Sequence, residues 1–435
     1  MRIAPTLFVS LALLASIAFA EPAATQPPQP PFPYVWGKAF HVLPETHNQE
    51  SGYFSLCEGL DGRIYVGTTR YFENSYLVEF DPATEQQRVV IDTNAVCGVN
   101  GTNYASQAKI HTRNFVAPSG VLWCGSMQGY GPPGDTSRYE GGFVMTYDPN
   151  TGAAKSHGIA YPGEGVSDVI ADEARGLAYI VTSMNWRWVL MDIKTGKYRP
   201  LGVALCIYAR TMIDERGRAN AVTEEFRLAQ HDPVTDVVTL RDIRIDGRSA
   251  RELAHPRWTQ VSDGKTAYMV CIDNEEKKAD LYAIDLLAEG DTVPGRHIAT
   301  LARGSHLDCN CGLDLGPDGK LYAVITREND SGFGAGDLQH LVRVDPQTGA
   351  VEQLGVLAVK NPDYFAFTLP DGNPAPYIHG FNHDQPDGTL TPKSNHLALK
   401  VARDGTIYVT FLYPFTLLQI APEQLGAGTS RRLVR

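Results

Sequence analysis

Apolar and polar positions along this chain follow one short pattern that keeps returning. A glycine turn leads into an apolar run with an aromatic at its second or third position. The pattern reads D-G-R-I-Y at Tyr65, S-G-V-L-W at Trp123, R-G-L-A-Y at Tyr179 and R-G-R-A-N at Asn220. It returns as D-G-K-T-A-Y at Tyr268, D-G-K-L-Y at Tyr322 and D-G-T-I-Y at Tyr408. After each comes a second apolar run ending in Asp81, Asp148, Asp192, Asp232, Asp285 or Asp345, with Ala421-Pro422 in the last copy. Turn residues such as Asn150-Thr151-Gly152 and Gln347-Thr348-Gly349 follow. Short runs between such turns predict strands, and a fixed period predicts a repeat architecture.

Each unit reads as four antiparallel strands: a first strand, the glycine turn, the marker strand, a variable loop, the strand ending in Asp, a turn and a fourth strand. The expected fold is all-β: a seven-bladed β-propeller of four-stranded antiparallel blades. The last unit runs out near Pro422, while Val35 to Leu43 is strand-like and unassigned. An N-terminal strand that closes the ring by completing the last blade removes the open edge. Residues 35–435 thus form one domain. The long connections, Ser126 to Gly141, Arg327 to Asp337, Asp92 to Ser106 and Asn361 to Lys393, all fall on one side of the disc. That side is the expected functional face.

Residues 1–20 read as a signal peptide: Arg2, an apolar run from Leu7 to Ala18, then Ala18-Phe19-Ala20. Residues 21–34 are a Pro-rich leader expected to be disordered. Export, to the periplasm or beyond, is expected. No second apolar run of spanning length follows, so no membrane insertion is expected. The 41 Gly, 28 Pro and 20 Tyr suit short strands and tight turns. Net charge is -11, which argues against nucleic acid as a partner and confines any anionic substrate to a local basic site. The seven Cys cannot all pair within one chain, and most are expected to be buried fillers.

Counting back twelve residues from each marker gives Tyr53, His111, Ser167, Tyr208, Pro256, Asn310 and His396 near the start of the innermost strands. Two residues later stand Ser55, Arg113, Val169, Arg210, Trp258, Gly312 and Ala398. On a strand, residues two apart share a face, so His111 with Arg113 and Tyr208 with Arg210 are expected to point together into the channel. Two His with two Arg in one ring repel as like cations unless an anion or water lies between them, which marks a ligand site. Tyr53, Trp258, Asn310 and His396 are the other ring candidates for substrate contact. Trp186 in the Trp186-Arg187-Trp188 run is a candidate sugar platform. Arg138 sits in a Gly/Pro-punctuated rim loop and is a further substrate-binding candidate. His306, His379, His383 and His396 are candidate ligands for a divalent metal such as Ca, Mn or Zn. There is no phosphate-binding loop, dinucleotide fingerprint or nucleophile elbow, so no nucleotide or organic cofactor is expected.

At K-I-H-T-R, V-L-W-C-G-S-M-Q-G, G-G-F-V-M-T-Y-D-P-N-T-G and D-E-A-R-G-L-A-Y the chain resembles a family of exported propeller proteins common in planctomycete-type bacteria. The likeness runs from Tyr53 to Pro422. More distantly, it is similar to seven-bladed polysaccharide lyases acting on oligogalacturonate or ulvan. That resemblance implies channel-facing His, Tyr and Arg acting on a uronate beside a divalent metal. It carries over to His111, Arg113, Tyr208 and Arg210, whereas the lyases' metal pattern of clustered His and a Gln is not cleanly reproduced.

The expected activity is cleavage of an acidic glycan by β-elimination. Arg210, with Arg113 or a metal, would neutralise the uronate carboxylate. His111 would be the base, and Tyr208 the acid or an alternative base. The competing reading is a non-catalytic carbohydrate-binding or assembly propeller, since the fold hosts both. A calcium-dependent lactone hydrolase is disfavoured, because no Asp or Glu occupies the seven lead positions. A monomer is expected.

Overall fold

The computed structural model describes residues 28–48, 50–129, 138–253, 259–365, 372, 380–393 and 398–425. Strands follow one another as antiparallel meanders with short turns, the construction of a β-propeller. Val166–Asp172, Leu177–Thr182, Arg187–Asp192 and Lys197–Ala204 form one four-stranded sheet in that order. Neighbouring meanders face each other through apolar side chains. Tyr179, Trp188, Phe226, Met212 and Met269, for example, lie in one buried cluster.

The recurring motif has a hydrogen-bond reason. Asp61 Oδ1 accepts from the Arg63 N–H at 3.1 Å, and its Oδ2 accepts from the Tyr65 hydroxyl at 2.8 Å. Asp318 does the same with the Lys320 N–H at 3.1 Å and the Tyr322 hydroxyl at 2.9 Å. The Asp therefore shapes the turn and also anchors the aromatic that follows it. Gly62, at φ 80°, supplies the left-handed residue that such a turn needs. At the other turns the Asp ending the third strand caps the chain in like manner. Asp345 Oδ1 accepts from the N–H groups of Gln347 at 2.9 Å and Thr348 at 3.1 Å.

Outer strands of neighbouring meanders also join in parallel. Val237–Ile245 pairs with Thr292–Arg303 from Asp242↔Thr292 to Ile245↔Gly295. Tyr34–His41 pairs in parallel with Val351–Val359 from Tyr34↔Val356 to Gly37↔Val359. Its second half then pairs antiparallel with Thr416–Ile420, from Lys38↔Gln419 to His41↔Thr416. The N-terminal strand therefore covers an edge that the last meander leaves open.

The innermost strands depart from the expected alternation. Lys109–Ile110 and Phe115–Val116 are separate strands, and the stretch from His111 to Asn114 is not regular strand. In the preceding meander the register slips between Ser51 and Leu56. Tyr53, Tyr208 and Asn310, equivalent positions in the repeat, hold φ of 51°, 51° and 43°. These are left-handed conformations that non-glycine residues seldom adopt. The bend lets neighbouring inner strands close up: a Cβ on Gly52 would lie 1.9 Å from the Ile110 carbonyl oxygen. Hence His111 and Arg113 do not simply share one strand face.

All seven Cys are thiols, buried except for the half-buried Cys97. Among the described residues, no helix is long and apolar enough to cross a membrane. Residues 1–20 and the first half of the leader, 21–27, lie outside the described residues.

Candidate functional site

First strands of adjacent meanders run in parallel at the centre, touching through the bridges Arg113↔Asp168 and Cys311↔Ala398. Between them lies a cavity of about 200 Å³. Its walls include Arg113, Arg210, Gln260, Cys311, Asp314 and Lys400. The lining comes from the later half of the first strands and reaches Glu58, Val116 and Lys400, where side chains become half-buried. The cavity thus tends toward the short turns, away from the long connections that the sequence marks as the functional side.

Arg113 is 8% exposed. Its Nη2 donates to the Tyr208 carbonyl at 3.0 Å, its Nη1 donates to the Ala209 carbonyl at 3.4 Å, and its guanidinium stands 5.2 Å from the Phe54 ring centroid. Asp168, 2% exposed, places Oδ1 3.8 Å from Arg113 Nη1 and accepts the Thr211 N–H on Oδ2 at 2.8 Å. Burial raises the Asp168 carboxyl above its ordinary range, opposed by Arg113, the Thr211 N–H and Arg210. The two arginines therefore share a counter-charge supplied by the chain, rather than depending wholly on an outside anion.

Arg210 donates from Nη1 to the Gln260 carbonyl at 3.2 Å. Among the described residues no carboxylate lies within ion-pair distance of it. Burial lowers its guanidinium pKa, with Arg113 pushing the same way and Asp168 and Asp314 opposing. A half-buried cation without an ion-pair partner, on a cavity wall, is the clearest chemical feature here. One step further along the strands, Lys400 Nζ lies 2.8 Å from Asp314 Oδ2, which also accepts the Val401 N–H at 2.9 Å.

His111 and Tyr208 are not on this wall. His111 is 1% exposed, with its ring centroid 4.6 Å from Tyr53, 4.7 Å from Phe54 and 5.2 Å from Tyr208. It is packed in an aromatic group, which corrects its placement as a channel base. Trp186 is half-buried, its ring 4.6 Å from Tyr208, and Trp188 is core, donating from Nε1 to Thr211 Oγ1 at 3.1 Å. Trp188 thus offers no exposed face, while Trp186, the platform candidate, keeps part of its surface and rests on Tyr208. Tyr53 is half-buried against His111. Asn310 is buried, and its carbonyl accepts from the Thr259 hydroxyl. Arg138 is exposed, as a rim residue would be. Trp258, His379 and His396 lie outside the described residues.

Of the four candidate metal ligands, His306 and His383 are described, while His379 and His396 lie outside the described residues. His306 is exposed, with Nδ1 3.0 Å from Asp337 Oδ1, and His383 is exposed on its own loop. Among the described residues no three His, Cys, Asp or Glu side chains converge on a point.

Sequence reasoning missed Asp168, Asp314 and Lys400. Asp168 follows the ring position Ser167 directly, hidden because only alternate residues were counted. Asp314 and Lys400 stand four residues after Asn310 and His396, so one more step of the same count would have reached them.

No family model and no curated protein sequence matches the chain. Among solved structures it is similar to U3-55K at a TM-score of 0.50, with 8% identity over 88% of this chain and 98% of that one. It is also similar to the RRP9 WD40 repeats at a TM-score of 0.48, with 8% identity over 90% and 99% of the two chains. The extracellular domain of the hybrid two component system BT3049 from B. thetaiotaomicron matches at 0.43, with 12% identity over 89% of this chain and 41% of that one. This chain thus spans less than half the length of that protein's chain. The fold is a β-propeller. At such identities the likenesses bear on fold alone.

Proposed function

We propose that this chain is an exported seven-bladed propeller, its last blade completed by Tyr34–His41, that binds the carboxylate of an acidic sugar in its central cavity. The observation that carries this reading is Arg210, a half-buried guanidinium facing the cavity with no ion-pair partner among the described residues. Bidentate capture of a carboxylate is what such a group does best. At about 200 Å³ the cavity is smaller than the roughly 300–1,000 Å³ of drug-sized pockets. It suits one acidic sugar unit at a chain end better than a threaded polymer.

A lyase is the second reading, favoured by the closeness of His111, Tyr208 and Arg113. Elimination would move the C5 proton to a base, form the C4–C5 double bond and expel the C4 oxygen, which takes a proton. A base must reach that proton, and His111 is enclosed by Tyr53, Phe54 and Tyr208. Binding without turnover is therefore the better-supported reading. Calorimetry and ultraviolet absorbance on one panel of galacturonan, ulvan and alginate oligomers separate the two. Heat of binding with flat absorbance supports the binder; rising absorbance from an unsaturated uronate supports the lyase.

A further inference from the structure

The cavity carries polar groups at two levels. Arg113 and Arg210 occupy the inner level, and Asp314 and Lys400 stand one side-chain period further along the first strands. Two residues of strand separate such levels by roughly 7 Å, about the length of a pyranose ring. At each level one side chain is buried and one half-buried, Arg113 (8% exposed) with Arg210 inside and Asp314 (9%) with Lys400 outside. The wall beside the inner pair is buried at Phe54 and Thr259, whereas Glu58, Phe115 and Val116 further along are half-buried. The more open end is therefore the Asp314–Lys400 end.

The two levels differ in charge. The inner one holds two guanidinium groups and one carboxylate, Asp168. The outer one is a balanced pair, with Lys400 Nζ 2.8 Å from Asp314 Oδ2. Glu58, also on the wall, is held by Arg403 through Nε at 3.2 Å. A balanced acid–base pair gains little from a second anion, but it offers an acceptor and a donor side by side. Adjacent hydroxyls match that arrangement, one donating to the carboxylate and the next accepting from the ammonium.

We infer that Asp314 and Lys400 determine specificity, selecting a hydroxylated ring that enters carboxylate first from the short-turn face. The inference rests on the carboxylate-binding reading above and adds the ligand's direction and the class of its body: a sugar acid rather than a simple carboxylate. Gln260 and Thr259, on the same wall, extend the polar lining beside the pair.

The test compares D-galacturonate with cyclohexanecarboxylate, a ring acid of similar size without hydroxyls, by calorimetry on the full mature chain. The wild-type protein is expected to favour galacturonate by tenfold or more, since each hydroxyl bonded to a charged group contributes about tenfold. The double variant Asp314→Asn with Lys400→Met removes the pair together, leaving no lone charge. It is expected to lose the preference while holding cyclohexanecarboxylate within about twofold of wild type. Equal affinities in the wild-type protein, or a preference that survives in the double variant, would overturn the inference. The wild-type comparison stands even if the double variant does not fold. Failure of both acids to bind wild type would instead strike the carboxylate reading itself, and this inference with it.

Discussion

Arg113 and Asp168 meet where two inner strands run side by side, with Nη1 3.8 Å from Oδ1 and both side chains buried. The contact joins neighbouring meanders and puts a counter-charge behind Arg113 at the cavity wall. Removing one member of a buried pair leaves the other charge without its counter-ion. Asp168→Ala is expected to destabilise the fold by about 3–5 kcal/mol in urea denaturation. It also leaves both arginines to a ligand, so galacturonate should raise the variant's melting temperature more than the wild type's.

His47 predicts acid sensitivity. Burial pulls its pKa down from 6.5 to about 4, with His41 and Arg70 adding to the fall and the 2.8 Å bond to the Val42 carbonyl opposing it. Because the native value lies below the unfolded one, its contribution is present above about 6.5 and is lost as pH falls toward 4. Between pH 7 and pH 5 the wild type should lose about 2 kcal/mol through this ring. His47→Gln should show a correspondingly shallower decline in urea denaturation at the two pH values.

Tyr65 tests the repeat motif. Its hydroxyl donates to Asp61 at 2.8 Å and lies 3.2 Å from Glu79 Oε2, which Arg88 also holds. Tyr65→Phe should cost about 1–2 kcal/mol in thermal or chemical unfolding. Ligand affinity should not change, because the hydroxyl lies outside the cavity lining.

His111 and Trp186 separate packing from function. On the binding reading, His111→Ala loses about 2–3 kcal/mol of stability through its aromatic neighbours. Both His111→Ala and Trp186→Ala should keep galacturonate affinity within about threefold of wild type. A loss of binding in either, measured by calorimetry on a protein with intact circular dichroism, would return these residues to the site.

How much could be read beforehand follows from which interactions are local. The repeat was legible because in motifs such as Asp61-Gly62…Tyr65 and Asp318-Gly319…Tyr322 the Asp, the Gly and the Tyr act within five residues of one another. Arg113 and Arg210 were legible because like charges at equivalent positions of a repeat are rare without a reason. The break in the inner strands was not legible. Left-handed backbone at Tyr53 and Tyr208 has no glycine to announce it and is imposed by the neighbouring strand, as at Gly52 against Ile110. Once that break is in place, strict alternation fails, so His111 leaves the cavity and Asp168 comes to stand behind its wall, against Arg113.

Everything proposed for the cavity depends on Arg210 capturing a carboxylate. The most direct test of that capture is calorimetric titration of D-galacturonate and oligogalacturonate into the wild-type protein and into Arg210→Gln, at low and high salt. Saturable binding is expected that weakens with salt and falls at least tenfold in Arg210→Gln while the melting temperature stays near wild type. Equal binding by Arg210→Gln, or no binding by the wild-type protein, would contradict it.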